Sequence, residues 1–200
     1  MGETKKMIKL KDILMERISD VVYHFTTMDR AENIINTNRF VFSPIPMDSN
    51  VDPGKKYQEG YYMSVARTKT EAFTKWLMPN CHFVRFELDG NKMSNTLKGG
   101  AYNYFPTKHG EDTYEEYEDR VYSKQMYVPN AVGYIKRLDL DVSRKCRTGT
   151  NFEKLIKTTL RSGIPIYLFP SREKWSQQSG GIEVRDIDGY KLFMQSLKTT

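Results

Sequence analysis

A few polar side chains stand out because apolar stretches carry them: an imidazole, a tyrosine and a serine, an arginine, and two closely spaced carboxylates. His24 sits in VVYHFTT, where strand alternation puts Val22, His24 and Thr26 on one face and Tyr23 and Phe25 on the other. A lone strand histidine most often satisfies its hydrogen bonds inside the core. The hydroxyl of Thr26 on the same face keeps a ligand-facing polar surface open as the alternative. Tyr62 and Ser64 share a face of YYMSVA, leaving Tyr61, Met63 and Val65 for the other. Taken alone, Tyr62 is a core or edge aromatic. Arg67 follows past the strand end, where its guanidinium donors suit a phosphate, although most arginines so placed are only solvated. Glu116 and Glu118 point the same way if their strand begins early. Paired carboxylates repel, so a fold that holds them together often uses them; a solvated acidic loop, with Arg120 tempering the repulsion, is the simpler reading.

What is missing narrows the chemistry. The chain has no GxGxxG, no Gly-rich loop ending in Lys-Ser or Lys-Thr, no HExxH and no GxSxG. Dinucleotide-fold dehydrogenases, P-loop NTPases, zincins and the common hydrolases therefore have no support. Cys81 and Cys146 lie far apart with no CxxC and no histidine cluster, so no zinc site or disulfide framework is legible; both read as small buried residues in a reducing compartment.

These residues need a scaffold, and 200 residues are enough for one domain with a substantial core. No stretch is apolar enough to span a bilayer, and the N-terminus has a charge every few positions, unlike a signal peptide. The expectation is a cytoplasmic protein with no membrane association. The net charge of +6 favours a polyanionic partner or a phosphate-bearing ligand about as much as simple solubility. An acidic knot, Asp112 to Asp119, interrupts this basic background.

Periodicity then sets the elements. Leu10 to Ile18 is a short amphipathic helix, Val21 to Thr26 a strand, and a helix with Ala31, Ile34 and Ile35 inward follows, with Asp29 and Glu32 in a capping arrangement and an end near Asn38. FVFSP reads as one strand closed by Pro44, and Pro44 to Glu59 as a loop. Tyr61 to Ala66 is a strand, Thr68 to Met78 a helix, and HFVRFEL a half-exposed strand before a turn at Asp89-Gly90. Residues 91 to 117 show little periodicity. Strands follow at Glu118 to Tyr122, Val132 to Val142 and Ile164 to Phe169, with a helix at Asn151 to Arg161 ended by Gly163. Without strict βαβ alternation the class is α+β. The expected organisation is one domain over 1–200: an appended helix in 1–20, a core over about 21–170 and a C-terminal extension in 171–200.

The ordered set YHFT, FVFSP, GYYMSVARTK, RFELDG, EYEDRVYS and YIKRLDL resembles the ADP-ribosyltransferase family over roughly Val21 to Val142, and more closely its small phage-borne members. The resemblance implies a mixed, mainly antiparallel split β-sheet flanked by helices. It also implies NAD as a substrate whose nicotinamide–ribose bond is cleaved, with ADP-ribose passed to a protein or nucleic-acid acceptor in the host cytoplasm. On the family pattern His24 holds a ribose, Tyr62 stacks on nicotinamide, and Glu118 holds the ribose 2′-hydroxyl. Ser64 is an alternative middle-strand residue, and Glu116 is a competitor that would address the acceptor. Thr26 and Arg67 complete the cofactor set, Arg67 at the pyrophosphate; no metal is implied. Two other readings stand beside this one. The first is the related RNA 2′-phosphotransferase, for which only Arg67 supplies the extra basic strand residue. The second is a non-catalytic module that binds nucleic acid or protein.

Overall fold

A computed structural model describes residues 18–44, 60–67, 84–101, 118–143, 152–177 and 179–197. The expected helices at Leu10 to Ile18 and Thr68 to Met78, the loop before Glu59, Glu116 and both cysteines lie outside those residues, except that Ile18 itself is described and is not helical.

The chain enters through β1 (Val21–Thr26), whose β-branched and aromatic residues favour an extended backbone. Helix α1 (Met28–Thr37) follows and buries Ala31, Ile34 and Ile35, as its spacing predicts. Its cap is Thr27, extended at φ −79° and ψ 161°, whose side chain accepts from the Arg30 amide; Asp29 lies inside the first turn, where its charge favours the helix N-terminus. Asn38 ends the helix in the left-handed region at φ 50°.

That turn redirects the chain, and FVFSP splits in two. β2 (Arg39–Val41) leaves the main sheet to pair antiparallel with β8 (Tyr127–Pro129), and only β3 (Ser43–Pro44) pairs with β4 (Tyr61–Ala66). β5 (Val84–Asp89) also differs from expectation. It runs between β1 and β9 (Ile135–Asp141), which occupy its two edges, and the face expected to be exposed is covered at Arg85, which is fully buried, while Glu87 and Asp89 farther along are half-buried. Asp89 makes no hairpin turn with Gly90. Its carboxylate accepts from the Lys92 amide and caps α2 (Gly90–Ser94), while Gly90 lies so close to the Ser19 carbonyl that a Cβ would stand 1.7 Å from that oxygen.

Order returns within the segment of weak periodicity as β6 (Lys98–Ala101), paired with β7 (Glu118–Ser123). The expected strand from Val132 starts later, because Ala131–Tyr134 forms one helical turn, α3, after Asn130 at φ 65°. Helix α4 (Phe152–Arg161) crosses over to β10 (Ile166–Phe169), which lies parallel to β9; every other described strand pairing is antiparallel. The segment expected as an extension is integral. After α5 (Arg172–Gln177), β11 (Ile182–Val184) becomes the edge strand beside β10, and α6 (Ile187–Ser196) adds Tyr190 and Phe193 to the core.

The result is a mixed α/β fold with an open, mostly antiparallel sheet in the order β11-β10-β9-β5-β1-β4-β7-β6. One face, with Val22, Val65, Phe86, Leu138 and Leu140, packs with residues of α1, α4 and α6 into the main core. The other face carries Tyr23, Phe25 and Ala66 with Phe169 and Trp175, and it also holds the buried charges of β5 and β9.

Candidate functional site

The strands that carry the singled-out residues are neighbours: β1 beside β4, and β4 beside β7. β4 and β7 pair along their whole length, from Tyr61↔Ser123 to Ala66↔Glu118. β1 and β4 share one registered pair, Tyr23↔Ala66, after which the ladder stops. At its other end the same edge of β4 is taken by β3, opposite Tyr61 and Tyr62.

Between those two contacts the imidazole of His24 fills the gap. Its Nδ1 lies 3.4 Å from the Ser64 carbonyl oxygen, so the ring donates from Nδ1 and the neutral form carries its proton there. The ring also meets Phe40 edge-on, with centroids 6.4 Å apart. His24 is half-buried and Thr26 fully so, at 2% exposure.

The alternation read from the sequence holds on β4. Met63 and Val65 are buried in the core, whereas Tyr62 and Ser64 are half-buried. Arg120 stacks its guanidinium over the Tyr62 ring, 4.6 Å from the centroid, instead of serving only to offset nearby carboxylates. A cation on an aromatic face at this distance contributes roughly 1 kcal/mol or more when partly desolvated. The Tyr23↔Ala66 pairing sets His24 and Thr26 on the face of Met63 and Val65, opposite Tyr62 and Ser64. The structure thus brings His24 to the backbone of Ser64 and not to its hydroxyl. Glu118 opens β7 in register with Ala66, and its carboxyl lies outside the described residues, as does all of Glu116.

Arg67 does not stand alone at the strand end. Its Nε donates to Oδ1 of Asp119, and the other oxygen of that carboxylate accepts from the Ser19 amide at 2.7 Å. Asp119 is 1% exposed, so its charge is compensated by these donors and not by water. One side chain therefore ties the entrance of β1, the exit of β4 and the start of β7. Sequence reasoning placed Asp119 in a solvated acidic knot; the available signal was its strand parity, which sets it on the face opposite its neighbours.

A second charged group lies on the polar face. Arg85 donates from Nε and Nη2 to Asp139 Oδ2 at 3.0 and 2.7 Å, and both side chains are fully buried. The Arg85 guanidinium also lies 4.7 Å from the Trp175 ring and 5.9 Å from that of Tyr23. Burial pushes Arg85 down from its usual range while Asp139 pushes it back up. Burial also raises the Tyr23 phenol to about 12, helped by the charge of Glu87. Arg137 reaches Asp139 Oδ1 at 3.1 Å and Glu87 at 3.2 Å and lies over Tyr167. The sequence signal was charge at matching positions in two apolar strands, VRFELD and IKRLDLD.

Among the described residues no group of three or more His, Cys, Asp or Glu side chains is placed to hold a metal ion, and no helix is long and apolar enough to cross a membrane. Comparison with family models, with curated proteins and with solved structures finds no match. The class that the fold itself defines is a mixed α/β protein with a mostly antiparallel open sheet.

Proposed function

We propose that the chain is an NAD-dependent ADP-ribosyltransferase that cleaves the nicotinamide–ribose bond and passes ADP-ribose to a macromolecular acceptor. The observation that carries this reading is the adjacency of β1, β4 and β7. Three strands remote in sequence are neighbours in the sheet: Tyr62, Ser64 and position 118 share one face, and His24 stands on the other, where the ladder between β1 and β4 is interrupted. His24 fills the break in the ladder with its own imidazole, so the reading rests on the order of the strands and not on an open cleft.

In the proposed mechanism the bond from ribose C1′ to the nicotinamide nitrogen breaks and its electron pair leaves with the now neutral nicotinamide. The sugar passes through an oxocarbenium-like state before the acceptor nucleophile attacks C1′. An ionised Glu118 stabilises that positive charge and orients the ribose through its 2′-hydroxyl. His24, with its proton fixed on Nδ1 by the Ser64 carbonyl, orients the cofactor and transfers no proton. Tyr62 offers the nicotinamide the ring face that Arg120 does not cover. Arg67 ties the end of β4 to β7 through Asp119, and that ion pair fixes the guanidinium proposed for the pyrophosphate.

The test is incubation with labelled NAD and separate pools of protein, DNA and RNA. Transfer of label into one pool is expected, together with a fall of about 100-fold or more for Glu118→Gln, which keeps shape and removes charge. Undiminished nicotinamide release by a folded Glu118→Gln variant overturns the assignment.

A further inference from the structure

Some exposed cations of the described surface are held by acids, Lys154 by Glu32, Lys157 by Glu153, Arg185 by Glu183 and Lys191 by Asp188, and others, such as Arg30, Lys98, Arg161 and Lys174, have no ion-pair partner among the described residues. On the two-stranded ribbon of β2 and β8 the lack of acids extends along the sequence. Residues 33–44 and 121–136, which form the ribbon and its flanks, contain no Asp or Glu. Arg39 in β2 and Lys124 before β8 are exposed, and neither has an ion-pair partner among the described residues.

The ribbon's two faces have opposite characters. Phe40 and Val128, paired in register, are buried in the core. Arg39↔Pro129 and Val41↔Tyr127 form the outward face, where Val41 is 52% and Tyr127 55% exposed. Arg39 stands diagonal to Tyr127, a spacing of about 7–8 Å that long side chains can bridge. The ends are pinned: the Val132 amide donates to Asn38 Oδ1 and the Phe42 amide to the Met126 carbonyl, both at 2.8 Å. An exposed phenol ring beside two cations that have no ion-pair partner among the described residues, in stretches that contain no acid, matches a chain that offers flat bases and phosphates together. The apolar stripe is too narrow, and its border too uniformly basic, to favour a folded protein partner.

We propose that the outward face of the β2–β8 ribbon binds single-stranded nucleic acid, with a base stacked on Tyr127 and phosphates on Arg39 and Lys124. This surface does not depend on the NAD reading, although β2 runs through Phe42 into β3 and so toward Tyr61 and Tyr62.

The test is fluorescence anisotropy of the full chain with fluorescein-labelled 16-nucleotide probes of one mixed sequence, as single-stranded DNA, single-stranded RNA and duplex DNA, over a salt series. Binding of either single strand in preference to duplex is expected. Tyr127→Ala should weaken it by about 5- to 150-fold, whereas Tyr127→Phe, which keeps the ring, should retain it. Arg39→Ala and Lys124→Ala should each lower the salt slope by about 1. Leu192→Ala alters an exposed apolar residue elsewhere and serves as the control. Equal binding of duplex and single strands, or an affinity unchanged by Tyr127→Ala, overturns the proposal.

Discussion

Asp139→Asn should cost far more stability than Arg85→Met, although the two residues are partners in one ion pair. Both are fully buried, so neither charge can recover hydration if the other is removed. Their situations after mutation differ, however. With Asp139 neutralised, Arg85 loses its only fully buried counter-charge and keeps at most a neutral amide oxygen and the ring faces of Trp175 and Tyr23, while its Nη1 already has no hydrogen-bond partner. Stranding a buried cation in this way costs about 3–5 kcal/mol. With Arg85 replaced by methionine, Asp139 still faces Arg137, whose Nη2 donates to Oδ2 at 3.3 Å and whose Nε lies 3.1 Å from Oδ1. Arg137 is also 25% exposed and can be hydrated in part, so the cost falls to roughly 1–3 kcal/mol. At an m-value of ~2 kcal/mol/M, the two single variants should unfold in urea about 1 M apart, with Asp139→Asn the less stable. The pair Arg85→Met with Asp139→Leu should recover most of the loss, because well-packed apolar groups replace buried ion pairs at little cost. Equal midpoints for the two single variants, or an Arg85→Met midpoint below that of Asp139→Asn, would refute the account.

Burial and close packing set two further outcomes. The Tyr23 phenol, raised to about 12 by burial, stays protonated in the folded chain while an unfolded tyrosine ionises near 10. The unfolded state thus binds fewer protons between those values, and stability should fall by roughly 2–3 kcal/mol as pH rises from about 10 to 12. Tyr23→Phe should flatten that part of the stability curve, measured by urea denaturation across the range; a curve of the same slope would count against it. Gly90→Ala should destabilise by about 3 kcal/mol or more, since a Cβ there would stand 1.7 Å from the Ser19 carbonyl oxygen and the obstacle is backbone. A thermal midpoint within a degree or two of the parent would contradict the close approach.

The amino-acid sequence determined what depends on neighbours along the chain. The β-branched and aromatic run Val21–Thr26, the alternation in Tyr61–Ala66, and the helical spacing of Ala31, Ile34 and Ile35 and of Phe152, Leu155 and Ile156 mark those elements from the sequence. The candidate residues His24, Tyr62 and Ser64 were legible for the same reason. What tertiary structure alone decided depends on partners far away. FVFSP reads as one strand until β8 captures Arg39–Val41. Arg85 reads as solvent-facing until Asp139, 54 positions later, meets it under Trp175. Arg67 and Asp119 read as a phosphate hand and a solvated acid until the sheet order places them together, 52 positions apart. Side-chain periodicity is a local property of the backbone, whereas the compensation of a buried charge is fixed by which strands become neighbours.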